Sequence, residues 1–258
     1  MLAFLPIFAI AIVVGVATIL VLATRAAARA SMPQNEANGL SLRLGVGIAA
    51  WLSVLAGVAA SGALRDFEAR PPRPLLLLVA TMVLFAITTR RKIVGRLLEA
   101  TPDAWLVALQ TMRIPIELML YGLFVAGKLP LHLTFEGRNF DVLVGLSAPV
   151  MALLVARGKL GPRGLVAWHV ASLGLLANIV FMAVTTLPGP LHLAWPGASN
   201  VVVTTFPYVF LPGFLVPVAL FGHVLALRKL AKRARSSAEG PATGAPPEDQ
   251  AQRIGGGL

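Results

Sequence analysis

Apolar residues fall in seven stretches, at 2–24, 44–64, 74–89, 104–127, 142–156, 164–187 and 206–227, separated by clusters of charge, proline and glycine. A helix rises about 1.5 Å per residue, so roughly 20 apolar residues cross a hydrocarbon layer about 30 Å thick. Most of the seven reach that length. The pattern predicts an all-α fold, a polytopic transmembrane bundle of seven helices over residues 1–230. Residues 231–258 are polar, rich in Ala, Gly, Pro and Ser and without apolar periodicity, and are expected to form a disordered cytoplasmic tail.

Composition strengthens this reading. Of 258 residues, 57% are hydrophobic and 13% charged, whereas soluble domains carry about 25% charged residues. A soluble globular domain is excluded. The net charge of +11 would in a soluble protein point to nucleic acid, but its placement points elsewhere. With the N-terminus outside, the inward segments hold fifteen basic residues (Arg25, Arg29 and Arg43; Arg90, Arg91, Lys92 and Arg96; Arg157, Lys159 and Arg163; Arg228, Lys229, Lys232, Arg233 and Arg235). The outward segments hold five, namely Arg65, Arg70, Arg73, Lys128 and Arg138. This imbalance follows the positive-inside rule and predicts an outside N-terminus, a cytoplasmic C-terminus and residence in the inner (plasma) membrane. The lipid bilayer is the expected partner and nucleic acid is not. The first stretch, 23 residues long with its basic residues behind it, reads as a retained anchor rather than a cleaved signal. The absence of cysteine excludes disulfides, thiolate catalysis and sulfur-ligated metals.

Three spans carry local signals. In the second, Gly45, Ala49, Ser53, Gly57 and Ser61 place small residues at every fourth position, a stripe suited to close packing inside the bundle or to a homo-oligomer seam. In the seventh, Pro207, Pro212 and Pro217, with Gly213 beside the middle one, remove backbone donors and predict a bent or locally unwound helix. The fourth contains Gln110, Arg113 and Glu117, the charged ones being the only charges set well inside any stretch. At about 100° per residue Glu117 lies about 20° and Arg113 about 60° from Gln110, with Asp103 and Tyr121 on the same side. From Asp103 to Tyr121 is about 27 Å, so one face is polar across the bilayer. A central Arg or acid costs about 2.5 to 3.5 kcal/mol on insertion scales, against about 0.3 to 0.6 returned by each large aliphatic residue. The face must therefore turn toward protein. Arg113 and Glu117, four apart, can pair, and Pro115 frees the Thr111 carbonyl between them.

The loop after this span runs Thr134, Phe135, Glu136, Gly137, Arg138, Asn139, Phe140, Asp141. Glu136 and Arg138 bracket a turn, and Asn139 or Asp141 can cap the fifth span. That span has 15 uncharged residues, too few for the full hydrocarbon thickness, so Asp141 and part of the loop are expected to be drawn inward as an outer vestibule leading to Glu117. His169 and His223 fall at similar depth near the inner ends of their spans, whereas His132 and His192 sit in outer loops. A haem or metal held by the first pair is conceivable on spacing alone, but no cofactor is expected. A faint repeat at an offset of 60 relates Pro130, Leu131, His132 and Leu133 to Pro190, Leu191, His192 and Leu193, and Pro102 to Pro162.

The Q-x-x-R-x-x-x-E stretch at 110–117, the T-F-E-G-R-N-F-D loop at 134–141 and a proline-rich last span ending H-x-x-x-L-R-K-L resemble an uncharacterised family of bacterial multi-pass, seven-span integral membrane proteins. The resemblance covers roughly residues 100–230 and implies topology but no activity. Retinal proteins share the span count but attach their chromophore to a lysine in the last span, and 206–227 contains none.

The expected function is a translocator or sensor of a small molecule, ion or proton. Gln110, Arg113, Glu117 and Tyr121 form its mid-membrane site, and Glu136, Arg138, Asn139 and Asp141 its outer vestibule. The alternatives are a membrane-embedded enzyme on a lipid substrate, for which no nucleophile motif or metal motif is present, and a structural or assembly protein with an architectural ion pair.

Overall fold

The computed structural model describes residues 5–238, and among them every regular element is helical. α1 (Leu5–Arg29) and α2 (Gln34–Ala60) form an N-terminal pair. α3 (Arg73–Thr89) turns through 72° into the short α4 (Lys92–Ala100). The next span is composite, made of α5 (Asp103–Ala108), a 3-10 segment (Leu109–Met112) and α6 (Arg113–Val125). α7 (Asp141–Ala156) and α8 (Pro162–Thr185) follow, and a π turn (Leu211–Leu215) leads into α9 (Val216–Ala238). Five of these helical runs are long and apolar enough to cross a membrane, or six if α3 and α4 are one bent span. α7, with 16 residues, falls short of that length.

The surface is what lipid requires. Ile10, Val13, Val46, Val79, Leu143 and Val170 all lie exposed along the helices. The composite span is the most enclosed, with 61% of its most apolar window buried against 11% for α2. Its polar face therefore turns inward, as the insertion cost demands.

Several helices outrun their apolar stretches. α2 begins at Gln34, ten residues before its apolar run, with Glu36 in the first turn and Gln34 Nε2 donating to Asn38 Oδ1 at 2.9 Å. Hydrophobicity marks the part of a helix that meets lipid, not its length. α4 occupies what reads as a basic inner loop. Ile93 and Leu97 pack against Ala27, Met32 and Ala37, while Lys92 and Arg96 stay exposed, so the helix is amphipathic. α9 continues to Ala238, eight residues into the segment expected to be disordered, because Lys232 pairs with Glu99 and Arg233 with Asp103 on the neighbouring elements. Residues 239–258 of that segment lie outside the described residues.

The last span departs from regular α geometry where its prolines predict, in a π turn, but starts at Leu211 rather than 206. Val216 N–H reaches back five residues to Leu211 O, the signature of the π turn. Pro217 cannot supply the amide that a regular helix would send to Gly213 O, and the Trp51 indole of α2 donates to that carbonyl instead at 2.8 Å. A Cβ at Gly213 would sit 2.7 Å from the Leu55 methyls, so glycine is what lets α2 approach.

Of the small-residue stripe of α2 only Gly45 is half-buried, where a Cβ would meet Leu20 of α1 at 3.9 Å. Ala49, Ser53, Gly57 and Ser61 are exposed, and α2 buries Leu55 and Ala59 on another face. The offset of 60 persists in the helix ends, Val125 against Thr185, and Pro102 and Pro162 both stand at helix starts. The loops differ, since Leu131–Leu133 is a 3-10 turn and 191–193 is not helical.

Replacing Trp51 by Phe keeps the ring and leaves the Gly213 carbonyl without its partner. We expect a loss of about 1 to 3 kcal/mol in stability, read as a lower Tm of the detergent-solubilised protein.

Candidate functional site

Pro115 has no N–H to offer Thr111 O, and the segment before it, Leu109–Met112, winds as a 3-10 helix. Residues three apart eclipse one another in that geometry. Gln110 and Arg113 are three apart, and Gln110 Oε1 accepts from Arg113 Nε at 3.2 Å. Gln110 Nε2 in turn donates to Ala219 O of α9 at 3.2 Å, which is allowed because a Cβ at Gly222 would lie only 2.7 Å from that nitrogen.

The remaining Arg113 nitrogens go to two other helices. Nη1 stands 2.5 Å from Asp141 Oδ1 at the start of α7, and Nη2 donates to His223 Nε2 of α9 at 3.2 Å. Gln110, Arg113 and Glu117 are all within 2% of full burial. The partner of Arg113 is thus Asp141, not Glu117 four residues along its own helix. Gly145 makes the difference. A Cβ there would meet Ile114 Cγ1 at 2.9 Å and Ile114 N at 3.1 Å, so its absence lets α7 close on α6 and carry Asp141, one turn earlier on the same face, to the guanidinium.

Glu117 is held by the loop between α6 and α7. Asn139 Nδ2 donates to Glu117 Oε2 at 2.7 Å and to Leu133 O at 3.2 Å, while Asn139 Oδ1 accepts the Asp141 amide at 3.1 Å, the first of α7. No protein hydrogen bond reaches Glu117 Oε1 among the described residues. The loop winds tightly enough to reach this depth because Gly137 lies against Leu131 O, where a Cβ would come within 2.2 Å. Asn139, Asp141 and Thr134 are buried. Glu136 and Arg138 are exposed, Arg138 lying 5.7 Å above the Trp195 ring. Tyr121 is half-buried and packs on Phe135 with ring centres 4.9 Å apart, away from the guanidinium. Of the eight candidate residues, five converge on Arg113 and Glu117; Tyr121, Glu136 and Arg138 do not.

His223 extends the network inward. An arginine offers no acceptor, so His223 Nε2 accepts and its hydrogen sits on Nδ1. That nitrogen is 2.7 Å from His169 Nδ1, which must therefore accept, leaving the His169 hydrogen on Nε2, buried and without a partner. The pair that spacing placed at one depth does meet, through a hydrogen bond. Among the described residues no group of three or more His, Cys, Asp or Glu side chains could hold a metal ion. At the start of α5 Asp103 pairs with Lys229 at 3.0 Å and with Arg233. Lys229, which reads as a loop cation, is buried and also donates to Thr101 O.

A cavity of about 110 Å³ opens between α3, α6, α8 and the π turn. Among the described residues, Arg113, Glu117 and Asp141 are its only charged lining residues. The other walls are almost wholly apolar, except Asn200 and Thr204, and Asn200 Oδ1 is buried without a hydrogen-bond partner among the described residues. A second, open pocket of about 650 Å³ lies on the outer loops beside His132 and Arg138. His132 stacks on Trp195 at 4.6 Å and bonds Thr186 Oγ1 at 2.8 Å. Since the Thr186 hydroxyl already donates to Met182 O, His132 Nε2 is the donor. Burial, and then the Arg138 cation, hold the His132 ring below the usual imidazole range.

Residues 71–231 match the family described as Domain of unknown function (DUF8737). The chain belongs to that family. Neither a curated protein nor a solved structure matches it. The matched span contains the whole Arg113 network, from Gln110 to His223, and leaves out α1 and α2. It agrees with the uncharacterised family that the motifs at 110–117 and 134–141 resemble.

Two outcomes follow from this geometry. Asp141→Ala strands a buried guanidinium and should cost about 3 to 5 kcal/mol, whereas combining Arg113→Met with Asp141→Leu should recover much of that loss in a chemical-denaturation series. For His132 the folded ring resists protonation that the unfolded ring accepts below about pH 6.5. Its contribution is complete above that value and declines as pH falls, until the folded ring itself titrates. Tm plotted against pH should lose this component in His132→Phe, which keeps the stack on Trp195.

Proposed function

We propose that the protein is a translocator or sensor of a small molecule, ion or proton, with Arg113 and Glu117 as its binding site. The observation that carries this reading is one guanidinium facing two carboxylates, Asp141 and Glu117, at the wall of a cavity inside the bundle. Asp141 is committed to Arg113. Glu117 keeps one oxygen without a protein partner beside the cavity, which is the arrangement a ligand or proton acceptor needs and a purely architectural pair does not. The exposed outer residues Glu136 and Arg138 form the approach from outside.

The topology that accompanies this proposal is seven spans in the inner membrane of a bacterium, N-terminus outside. Counting α3, with 17 residues, and α7, with 16, as spans gives seven and sets the basic clusters on one side in every alternate loop. Helices of that length reach about 24 to 26 Å, and modest local thinning or the loop drawn in at Asn139 covers the rest. The cavity's apolar walls favour a second reading, an enzyme acting on lipid with Glu117 as acid or base.

Glu117→Gln is the decisive variant. It keeps the Asn139 bond and the side-chain volume, so folded yield and Tm should stay near wild type while proteoliposome flux driven by a pH gradient is lost. A variant that unfolds would return the ion network to an architectural role, and turnover of detergent-solubilised lipid by the wild type would favour the enzyme.

A further inference from the structure

The cavity also constrains what it takes, given the reading of Arg113 and Glu117 as a binding site. Its charged lining consists of Arg113 from α6, Asp141 from α7 and Glu117 from α6. From α9 the group that meets Arg113 is His223, neutral because it accepts from the guanidinium, and His169 of α8 stands behind it. Among the described residues α3 adds no charge to the lining, and the connecting segments add the uncharged Asn200 and Thr204, with Asn139 standing beside Glu117. With both carboxylates ionised the site therefore carries one uncompensated negative charge. Burying such a charge in apolar surroundings is expensive, so it must be cancelled by a proton or by a monovalent cation. The proton belongs on Glu117, since Asp141 lies 2.5 Å from Arg113 and Glu117 Oε1 is free.

The walls decide which cation. Leu75 and Leu78 of α3 face Val180 and Val184 of α8 across the cavity, and all four are half-buried, so the slot opens between these helices at the lipid-facing surface. A hydrated metal ion finds no oxygen cage there, whereas an alkyl chain gains the full apolar wall. We propose that the cavity exchanges one proton on Glu117 for one lipophilic monocation, a single-chain ammonium that enters between α3 and α8. The Glu117 carboxyl releases its proton to solvent as the ammonium arrives, and takes one up as it leaves.

The test uses the full chain in lipid nanodiscs and three probes with one tail: dodecyltrimethylammonium, dodecanol and dodecanoate. Calorimetry in buffers of different ionisation enthalpy counts protons. Saturable binding of the ammonium, release of about one proton and an affinity falling about tenfold per pH unit on the acid side are the expected results. Glu117→Gln should lose this binding, and Glu117→Asp should retain it with proton release. The proton count on the wild type stands even if the glutamine variant misfolds. Ammonium binding without proton release overturns the exchange. Dodecanol or dodecanoate binding as tightly, and lost in Glu117→Gln, overturns the cation class while leaving Glu117 a ligand site. No saturable binding of any probe overturns the proposal, whereas the flux assay judges translocation separately.

Discussion

A guanidinium that leaves water must find partners for its nitrogens, and in a bilayer it must find them within the protein. Arg113 satisfies this requirement by drawing on three elements: Gln110 from the preceding turn, Asp141 from α7 and His223 from α9. The surrounding architecture follows from it. α7 has to come close, which Gly145 permits, and α9 has to come close, which Gly222 permits. The loop between α6 and α7 has to fold into the bundle, because the residue that pairs with Arg113 stands at its end and the residue that holds Glu117 two positions earlier. Three helices and a loop are thus located by one side chain whose removal or isolation is far more costly than any single apolar contact nearby.

Prolines set the backbone for the two sides of the cavity. Pro115 coincides with the 3-10 winding that eclipses Gln110 and Arg113, while Pro212 lies within, and Pro217 just after, the π turn that supplies Leu211 and Leu215 to the opposite wall. Where a carbonyl would be stranded, as at Gly213, an indole from another helix reaches it.

The polar face of the fourth span, its orientation toward the protein, the shared depth of the two histidines and the local irregularity of the last span were all legible in the sequence, because each rests on a local rule: helical periodicity, insertion cost or a missing proline donor. The identity of the Arg113 partner was not. A separation of four residues makes Glu117 the natural candidate, and the choice of Asp141 depends on how closely α7 packs, a tertiary fact signalled only by a glycine four residues after it. The reach of α2 and α9 beyond their apolar runs was likewise hidden, since polar helix in water leaves no hydropathy signal. α4 is too short for its amphipathic period to stand out among Arg90, Arg91, Lys92 and Arg96. The inner Asp103–Lys229 pair needed the two chain segments, far apart in sequence, to be brought together.

The indole of Trp51 belongs to α2, outside the matched family region, yet it is hydrogen-bonded to the turn whose neighbours Leu211, Pro212 and Leu215 line the cavity. Indole emission depends on the hydrogen bonding of its nitrogen and the polarity around it. The protein therefore carries its own optical gauge of the cavity wall, mounted on a helix that supplies none of the wall's charges. Any rearrangement of the π turn during occupancy would register there as a change in colour or intensity, without a label.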